Sequence, residues 1–431
     1  MLDEEINNTS DEPVKYADSA QRFMHHNALK LLACQEDLKN LHQNATQQQQ
    51  NIRHILKVLK EEDKAFDADH ALLEPSFFCE TLGLQGRMDL LQDDYRVLIE
   101  QKSGKKEFTT GGHQEKHYVQ MLLYLAVLHY GFRRKNGEVN SYLLYSKYTD
   151  GLIKEGAAPH LLYEAMRIRN QLVWMEYELS RGGSRRIIDA LNPERLRTRS
   201  NIADKFWERY LFPTLSEALL PFQTATPVEQ AYFHRMMTFI AREHLLSKIG
   251  TPGREGSGMA SLWNSTLEEK RLAGNIYVGL TVCTPEPSAE GIERLALQIP
   301  EEGDDYRPNF RVGDAVILYS YPKGKQPDAR SGVVHRCSID RIEGRLIWIQ
   351  LRFAQKNRFV FRQKKNQLWA IEHDTVESSF GTLYRSLYSL LTARDDRRNL
   401  LLGQRAPEYD WTITLTGDYG TFTPLVMKAR Q

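Results

Sequence analysis

The sequence predicts an α/β fold, in which a mixed sheet flanked by helices is followed by a helical extension and then a small β-barrel. Residues 83–102 have the pattern of a β-hairpin, residues 115–130 that of a helix, and residues 141–148 that of a further strand. Strands on both sides of a helix indicate a small α/β core. Residues 159–246 have helical periodicity. Short β-rich segments separated by turn residues fill positions 273–372, and this pattern is typical of a small barrel.

The N-terminal part of the chain is predicted to be helical. Residues 1–20 are polar, but from Ala17 to about Lys60 apolar residues recur at helical spacing. His25 and His26 lie in this stretch, where a surface or packing role is favoured over a role in an active site. The last predicted helix of the chain begins near Ser378.

The predicted hairpin brings charged side chains to the end of apolar strands. Asp89 is expected in the first strand, the polar residues 92–94 in the turn, and Glu100 and Lys102 in the second strand. Residues two apart on a strand point to the same face, so Glu100 and Lys102 project together. A carboxylate beside a lysine in this position is better explained by a bound divalent cation than by packing.

The residue types suit phosphodiester hydrolysis assisted by Mg²⁺ or Mn²⁺. Asp89 and Glu100 supply the carboxylate oxygens that these ions prefer, and the backbone carbonyl of Gln101 is a candidate third ligand. A bound ion activates water and offsets the charge of the phosphate. Lys102 is expected to meet the scissile phosphate or to orient the attacking water.

The helix after the hairpin carries polar residues on one face. Gln120 and Tyr124 are four residues apart, and His117 lies one turn earlier. Polar groups on the inner face of an apolar helix need partners, which the metal-site residues or DNA can supply. The alternative is that they are satisfied polar residues at a helix edge, without a role in catalysis.

Two basic segments are candidates for nucleic-acid contacts. Lys105 and Lys106 lie in the loop that leaves the strand of Glu100 and Lys102. Arg358 and Arg362 belong to a segment at 352–369 in which basic and aromatic residues alternate, so one side can follow a phosphate backbone while rings stack on bases. A solvated barrel edge protected by charge explains this second segment equally well.

The composition is that of an ordinary globular protein of two or three domains. Hydrophobic residues make up 41% of the 431 residues, and the formal net charge is +1. No apolar run is long enough to cross a membrane, and the acidic N-terminus is not a secretory signal, so a cytoplasmic location is expected. The four cysteines form no C-x-x-C pair, which argues for reduced thiols and against zinc or an iron–sulfur cluster.

Taken in order, GRMD, EQK and QMLLY resemble the motifs of PD-(D/E)XK nucleases of the RecB-like branch. The resemblance covers about residues 71–150 and implies a restriction-endonuclease-like core with metal-dependent DNA cleavage. It also implies the catalytic residues, which are Asp89, Glu100, Lys102, Gln120 and Tyr124.

The chain departs from this branch in two respects. Many members hold an iron–sulfur cluster through four cysteines, and the absence of such a cysteine cluster here predicts no such cofactor. Many also have a histidine on a helix well before the aspartate, and none of the early candidates, His25, His26, His42, His54 and His70, has a convincing context for it.

The C-terminal half resembles the region that links nuclease to motor in replication-type helicase–nucleases, where a small accessory barrel precedes the motor. No G-x-x-x-x-G-K-[ST] motif occurs, so we expect any helicase motor to be encoded downstream or by a partner chain. The expected segments are a nuclease core with N-terminal helices at 1–156, a helical extension at 157–249, a barrel at 259–375, and a helix and tail at 376–431.

Three functions remain open from the sequence. The leading hypothesis is a nuclease that acts on single-stranded or flap DNA in replication or repair. The second is a non-catalytic module that binds DNA and docks a helicase motor. The third is an RNA-directed nuclease, which the motifs do not separate from the first.

Overall fold

The structure is a computed structural model. It describes residues 2–6, 14–32, 38–107, 112–135, 137–198, 202–253, 256–283, 291–301, 308–355, 357, 359–374 and 378–408. The chain divides into two compact units. The first consists of residues 1–173 and 246–376, and the second of residues 174–245 and 377–431.

The first unit begins with a mixed sheet and a separate hairpin. The strands are, in chain order, β1 (Ala71–Leu73), β2 (Ser76–Cys79), β3 (Leu84–Arg87), β4 (Leu90–Gln92), β5 (Val97–Lys102), β6 (Asn140–Tyr145) and β7 (Leu152–Glu155). The sheet has the order β1-β4-β5-β6-β7, whereas β2 pairs with β3 and forms an isolated antiparallel bridge between Ser76 and Val334. β5 and β6 run parallel and the other neighbours antiparallel, as expected when a helix connects two parallel strands.

The helices that precede and follow these strands in the chain are α1 (Leu2–Ile6), α2 (Tyr16–His26), α3 (Ala28–Leu32), α4 (Leu38–Glu62) and α5 (Glu115–Ala126). Of these, α1 and α4 pack on one face of the sheet, and α5 packs on the other. Because side chains alternate along β5, Val97 and Ile99 pack against α4, whereas Leu98 packs against α5. The expected helix over 115–130 is confirmed, and its last turn, Val127–Gly131, is π-helical. The predicted mixed sheet flanked by helices is therefore confirmed.

The remaining helices are α6 (Pro159–Ser180), α7 (Ser184–Ala190), α8 (Pro193–Thr198), α9 (Asp204–Phe206), α10 (Phe212–Thr224), α11 (Pro227–Ile249), α12 (Ser261–Asn264), α13 (Leu267–Leu272), α14 (Ser378–Thr392) and α15 (Asp395–Leu401). In the second unit, Phe233 and Ile240 of α11 form a buried cluster with Leu387 and Leu391 of α14. None of the helices in the described ranges is long and apolar enough to span a bilayer.

The predicted barrel is present and closed. Its strands are β8 (Ile276–Val282), β9 (Ile292–Gln298), β10 (Ala315–Pro322), β11 (His335–Glu343), β12 (Leu346–Gln355) and β13 (Gln367–His373). Within the described ranges they close in the order β10-β11-β12-β9-β8-β13, with antiparallel neighbours. Closure leaves no free sheet edge, and alternate residues of the strands fill the interior.

The last barrel strand lies later in the chain than the sequence predicted. The β-rich segments predicted over 273–372 include RFVFRQKK at 358–365, but β13 begins at Gln367. Phe361 is fully buried in the barrel core from an irregular connection. The Gln363 side chain accepts a hydrogen bond from Val282 N (2.9 Å) and donates one to Gln367 O (2.7 Å). These contacts stabilise a connection whose alternating sequence imitates a strand.

The end of β12 joins the barrel to the five-stranded sheet. The Gln355 side chain accepts from Leu73 N (3.0 Å) and donates to Leu73 O (2.6 Å), and Asn357 donates to Ala71 O (3.2 Å). β1 lies at the edge of its sheet, where backbone groups need partners. Side-chain amides from the barrel therefore occupy the position of a further strand.

We expect the stability of the barrel to depend on pH through His335. Burial lowers the pKa of His335 to about 4 from its ordinary value of 6.5. The unfolded state then binds the proton more readily than the folded state does. The stability that the neutral, buried His335 contributes is therefore fully present above pH 6.5 and is lost as the pH falls toward 4. The loss should reach about 3 kcal/mol at pH 4. Urea unfolding of wild type, His335→Gln and the exposed control His160→Gln from pH 4 to 8 tests this. Equal pH dependence in all three would contradict it.

Candidate metal centre

Asp89 lies where the chain changes from one set of strands to another. β3 pairs with β2, whereas β4 pairs with β1 and β5. Asp89 is in the bend just before β4, so the prediction that it lies within a strand is wrong. One continuous strand could not pair with both sets of partners, so the chain bends at Asp89 between β3 and β4. Asp89 O accepts from Glu74 N (3.0 Å), and its Oδ2 accepts from Gln101 N (2.7 Å). The carboxylate is therefore held beside β5.

Glu100 and Lys102 project together from β5, as the strand alternation predicted. Lys102 Nζ lies 2.6 Å from Glu100 Oε1. Only 3% of the Glu100 side chain is exposed, compared with 16% for Lys102. The lysine thus lies nearer the opening of the site than the carboxylate to which it is paired.

Gln120 and Tyr124 join this pair from α5. Gln120 accepts from Lys102 Nζ (2.8 Å) and donates to Glu100 Oε1 (2.7 Å) and to Tyr124 OH (2.8 Å). The Tyr124 hydroxyl donates to Arg87 O (2.7 Å). The structure therefore brings together the residues predicted to be catalytic.

The site carries more buried negative charge than its lysine offsets. Burial, followed by the charge of Asp89, raises the pKa of Glu100 to about 7. Burial also raises the pKa of Asp89, and it raises that of Tyr124 to about 12. Two neighbouring carboxylates that both resist ionisation are suited to receive an added positive charge.

The donors fit a hard divalent cation. Glu100 Oε2 is buried, and no described group hydrogen-bonds to it. In the described part of the chain, no three His, Cys, Asp or Glu side chains group into a metal site. Asp89 and Glu100 would therefore need a backbone oxygen, and the Gln101 carbonyl is adjacent in the chain. Such a mixture of carboxylate and carbonyl oxygens suits Mg²⁺ or Mn²⁺.

Comparison with known families bears directly on this arrangement. The model of the PD-(D/E)XK nuclease superfamily matches residues 7–220. Residues 7–220 are a PD-(D/E)XK nuclease superfamily domain. A search of curated proteins finds no significant match to the chain.

The basic residues predicted near the site of the nuclease domain have different surroundings. His117 Nδ1 is hydrogen-bonded to Tyr145 OH (2.9 Å), and burial, then the charge of Lys102, lowers the pKa of His117. Lys105 is exposed. Lys106 Nζ lies 2.7 Å from Asp150 Oδ2, so part of its charge is already paired. The role of these three residues in binding nucleic acid remains a prediction.

The aromatic rings of the basic and aromatic segment at 352–369 pack against other parts of the protein. Arg358 lies outside the described residues, and Arg362 is exposed beside β13. Phe359 stacks on His70 of the nuclease domain (5.2 Å between ring centroids), and Phe361 and Trp369 lie in the barrel core. These rings therefore have protein partners, which favours the reading of the segment as structural.

Two further predictions from the sequence concern histidine and cysteine. His25 is exposed on α2, and the side chain of His26 lies outside the described residues. Cys79, Cys283 and Cys337 are free thiols, and Cys34 lies outside the described residues. Sequence reasoning missed Arg87, whose carbonyl binds Tyr124. Its position in GRMD, two residues before Asp89, was the available signal.

Proposed function

We propose that this protein is a metal-dependent nuclease that hydrolyses phosphodiester bonds in single-stranded or flap DNA. The observation that carries the proposal is the convergence of Glu100, Lys102 and Gln120 within 2.8 Å of one another, beside Asp89 and a Glu100 oxygen to which no described residue hydrogen-bonds. The superfamily match over residues 7–220 supports the same reaction class.

Each residue has a distinct task in this proposal. Asp89, Glu100 and the Gln101 carbonyl would hold Mg²⁺ or Mn²⁺, which when bound supplies Lewis acidity toward water and phosphate. Lys102 presents a fixed positive charge to the phosphate, since Glu100 and Gln120 both orient its ammonium group. Tyr124 ties α5 to the backbone of Arg87 and so fixes the approach to Asp89.

Cleavage of end-labelled single-stranded DNA with Mg²⁺ or Mn²⁺ tests the assignment. Asp89→Ala and Lys102→Ala should each lower the cleavage rate by about 100- to 1,000-fold, the usual effect of removing a group that stabilises transition-state charge. Asp340→Ala and Lys323→Ala remove the same charges from exposed barrel positions and should leave the rate unchanged. Equal rates in wild type and all four variants would contradict the assignment of this site.

The substrate class requires separate assays. Flap, duplex and single-stranded DNA and single-stranded RNA, compared at equal concentration, distinguish a DNA nuclease from an RNA-directed one. Salt-sensitive DNA binding without cleavage under either metal would favour the non-catalytic docking module instead.

Association with a helicase motor in DNA replication or repair is a further part of the proposal. The closed barrel supports it, since an accessory barrel was expected at this position of such machines. The purified chain should cleave a flap but hydrolyse no ATP. ATP hydrolysis by the chain alone would contradict a motor supplied by other sequence.

A further inference from the structure

Arg87 lies between the candidate metal centre and the barrel. It is the last residue of β3, its carbonyl binds the Tyr124 hydroxyl, and it precedes Asp89 by two residues. The Arg87 side chain pairs with Glu74, whose backbone N–H donates to Asp89 O, and 44% of the Arg87 side chain is exposed.

Two groups hold this guanidinium in place. The Phe353 ring of β12 lies 4.3 Å from Arg87 Cζ, in the geometry of a cation–π contact. Glu74 Oε2 lies 2.5 Å from Arg87 Nε. Glu74 has a φ of 53°, a left-handed conformation that a non-glycine residue seldom adopts, and its N–H binds Asp89 O. A strained residue therefore connects Arg87 to the backbone of Asp89.

The contacts leave part of the guanidinium available. Within the described residues, they involve Nε and one face of the group, so the two terminal nitrogens retain N–H groups for an acceptor from outside the protein. A planar guanidinium with a fixed orientation is well suited to bind phosphate oxygens.

We propose that Arg87 binds a backbone phosphate next to the scissile bond, and that Phe353 of the barrel is its positioning residue. This inference rests on the proposed nuclease function and deepens it. The barrel then completes the substrate site of the nuclease domain, since a side chain of β12 orients a residue that contacts substrate. Because the contact is to phosphate, it contributes affinity and register without base preference.

The test compares matched cation–aromatic pairs. Arg341 lies 4.7 Å above the Trp348 ring and 3.3 Å from Glu343, so it has the same two kinds of partner. Trp348 is five residues from Phe353 along β12, or about 17 Å. Arg341→Ala and Trp348→Ala are therefore the controls for Arg87→Ala and Phe353→Ala. Phe353→Leu retains apolar bulk without the aromatic ring. Arg87→Lys retains the positive charge but lacks the planar guanidinium that can bind two phosphate oxygens at once.

Two measurements are made on the full chain. Binding of a labelled single-stranded oligonucleotide is followed across salt concentrations with Ca²⁺, and cleavage kinetics are followed with Mg²⁺ or Mn²⁺.

Arg87→Ala should reduce the slope of log K against log salt by about 0.7, the value for one phosphate on a single strand. It should raise KM about tenfold, with a smaller change in kcat, and Arg87→Lys should recover the slope but only part of KM. Phe353→Ala and Phe353→Leu should both raise KM about threefold, and the controls should not.

The outcomes separate this inference from the proposed function. If wild type cleaves but the Arg87 and Phe353 variants match the controls, the inference is overturned and the nuclease assignment stands. If Phe353→Leu behaves as wild type, the ring has no positioning role. If wild type binds without cleaving, the nuclease assignment fails, while the salt slopes still decide whether Arg87 contacts phosphate. Absence of both binding and cleavage overturns both.

Discussion

Glu100→Gln is expected to abolish measurable cleavage while leaving the metal-free fold intact. Glutamine keeps the shape of the side chain and an oxygen that accepts hydrogen bonds from Lys102 and Gln120. It also removes the charge that burial and Asp89 both disfavour. What it loses is a carboxylate ligand, so we expect the cleavage rate to fall about 1,000-fold.

Thermal unfolding with and without Mn²⁺ reports on the same change independently of activity. A ligand at 100 times its Kd stabilises the folded state by about 2.7 kcal/mol. This should raise the Tm of wild type by roughly 3 °C, and the variant should show little of this rise. Glu343→Gln, at an exposed barrel carboxylate, should behave as wild type. A Glu100→Gln variant that keeps both cleavage and the Mn²⁺-dependent shift would exclude Glu100 as a ligand.

Gln355→Ala is expected to be the most destabilising polar substitution at the junction between barrel and nuclease sheet. Gln355 is 1% exposed, and its amide satisfies both backbone groups of Leu73. Removing it leaves a buried N–H and a buried C=O without partners. Unsatisfied groups of this kind cost about 1–3 kcal/mol each, so the free energy of unfolding should fall by about 2–6 kcal/mol.

Gln363→Ala provides the matched control in urea unfolding. The Gln363 amide also bridges backbone groups, at Val282 N and Gln367 O, but its side chain is exposed and water can replace it. Its loss should cost less than about 1 kcal/mol. Equal destabilisation by the two substitutions would show that the Gln355 contacts do not hold the sheet edge.

The site was largely predictable because its motifs are local. Glu100 and Lys102 share a strand face, and Gln120 and Tyr124 share a helix face. The two-residue repeat of a strand and the four-residue spacing on a helix were therefore enough to identify each pair from the sequence. The parallel pairing of β5 with β6 through α5 then brings the helix onto that strand. The barrel was also predictable from local sequence, because its strands are short β-rich segments separated by turn residues.

What the sequence did not predict depends on pairing between distant segments. The bend at Asp89 exists because β3 and β4 have different partners, and nothing in GRMDLL specifies those partners. The sequence at 358–365 alternates like a strand, but hydrogen bonds from Gln363 to Val282 and Gln367 hold residues 359–365 as a connection. Arg87 was missed because its partner, Phe353, is 266 positions away in the chain.

The second unit is discontinuous in sequence, and this has a consequence for its synthesis. Phe233 and Ile240 of α11 pack with Leu387 and Leu391 of α14, and Glu229 pairs with Arg398. Nearly 130 residues separate the end of α11 from the start of α14. At about 5–20 residues per second, a ribosome needs roughly 6–26 s to make them. Throughout that interval the apolar face of α11 lacks its partner, so the nascent chain is most exposed to aggregation while the barrel is being translated.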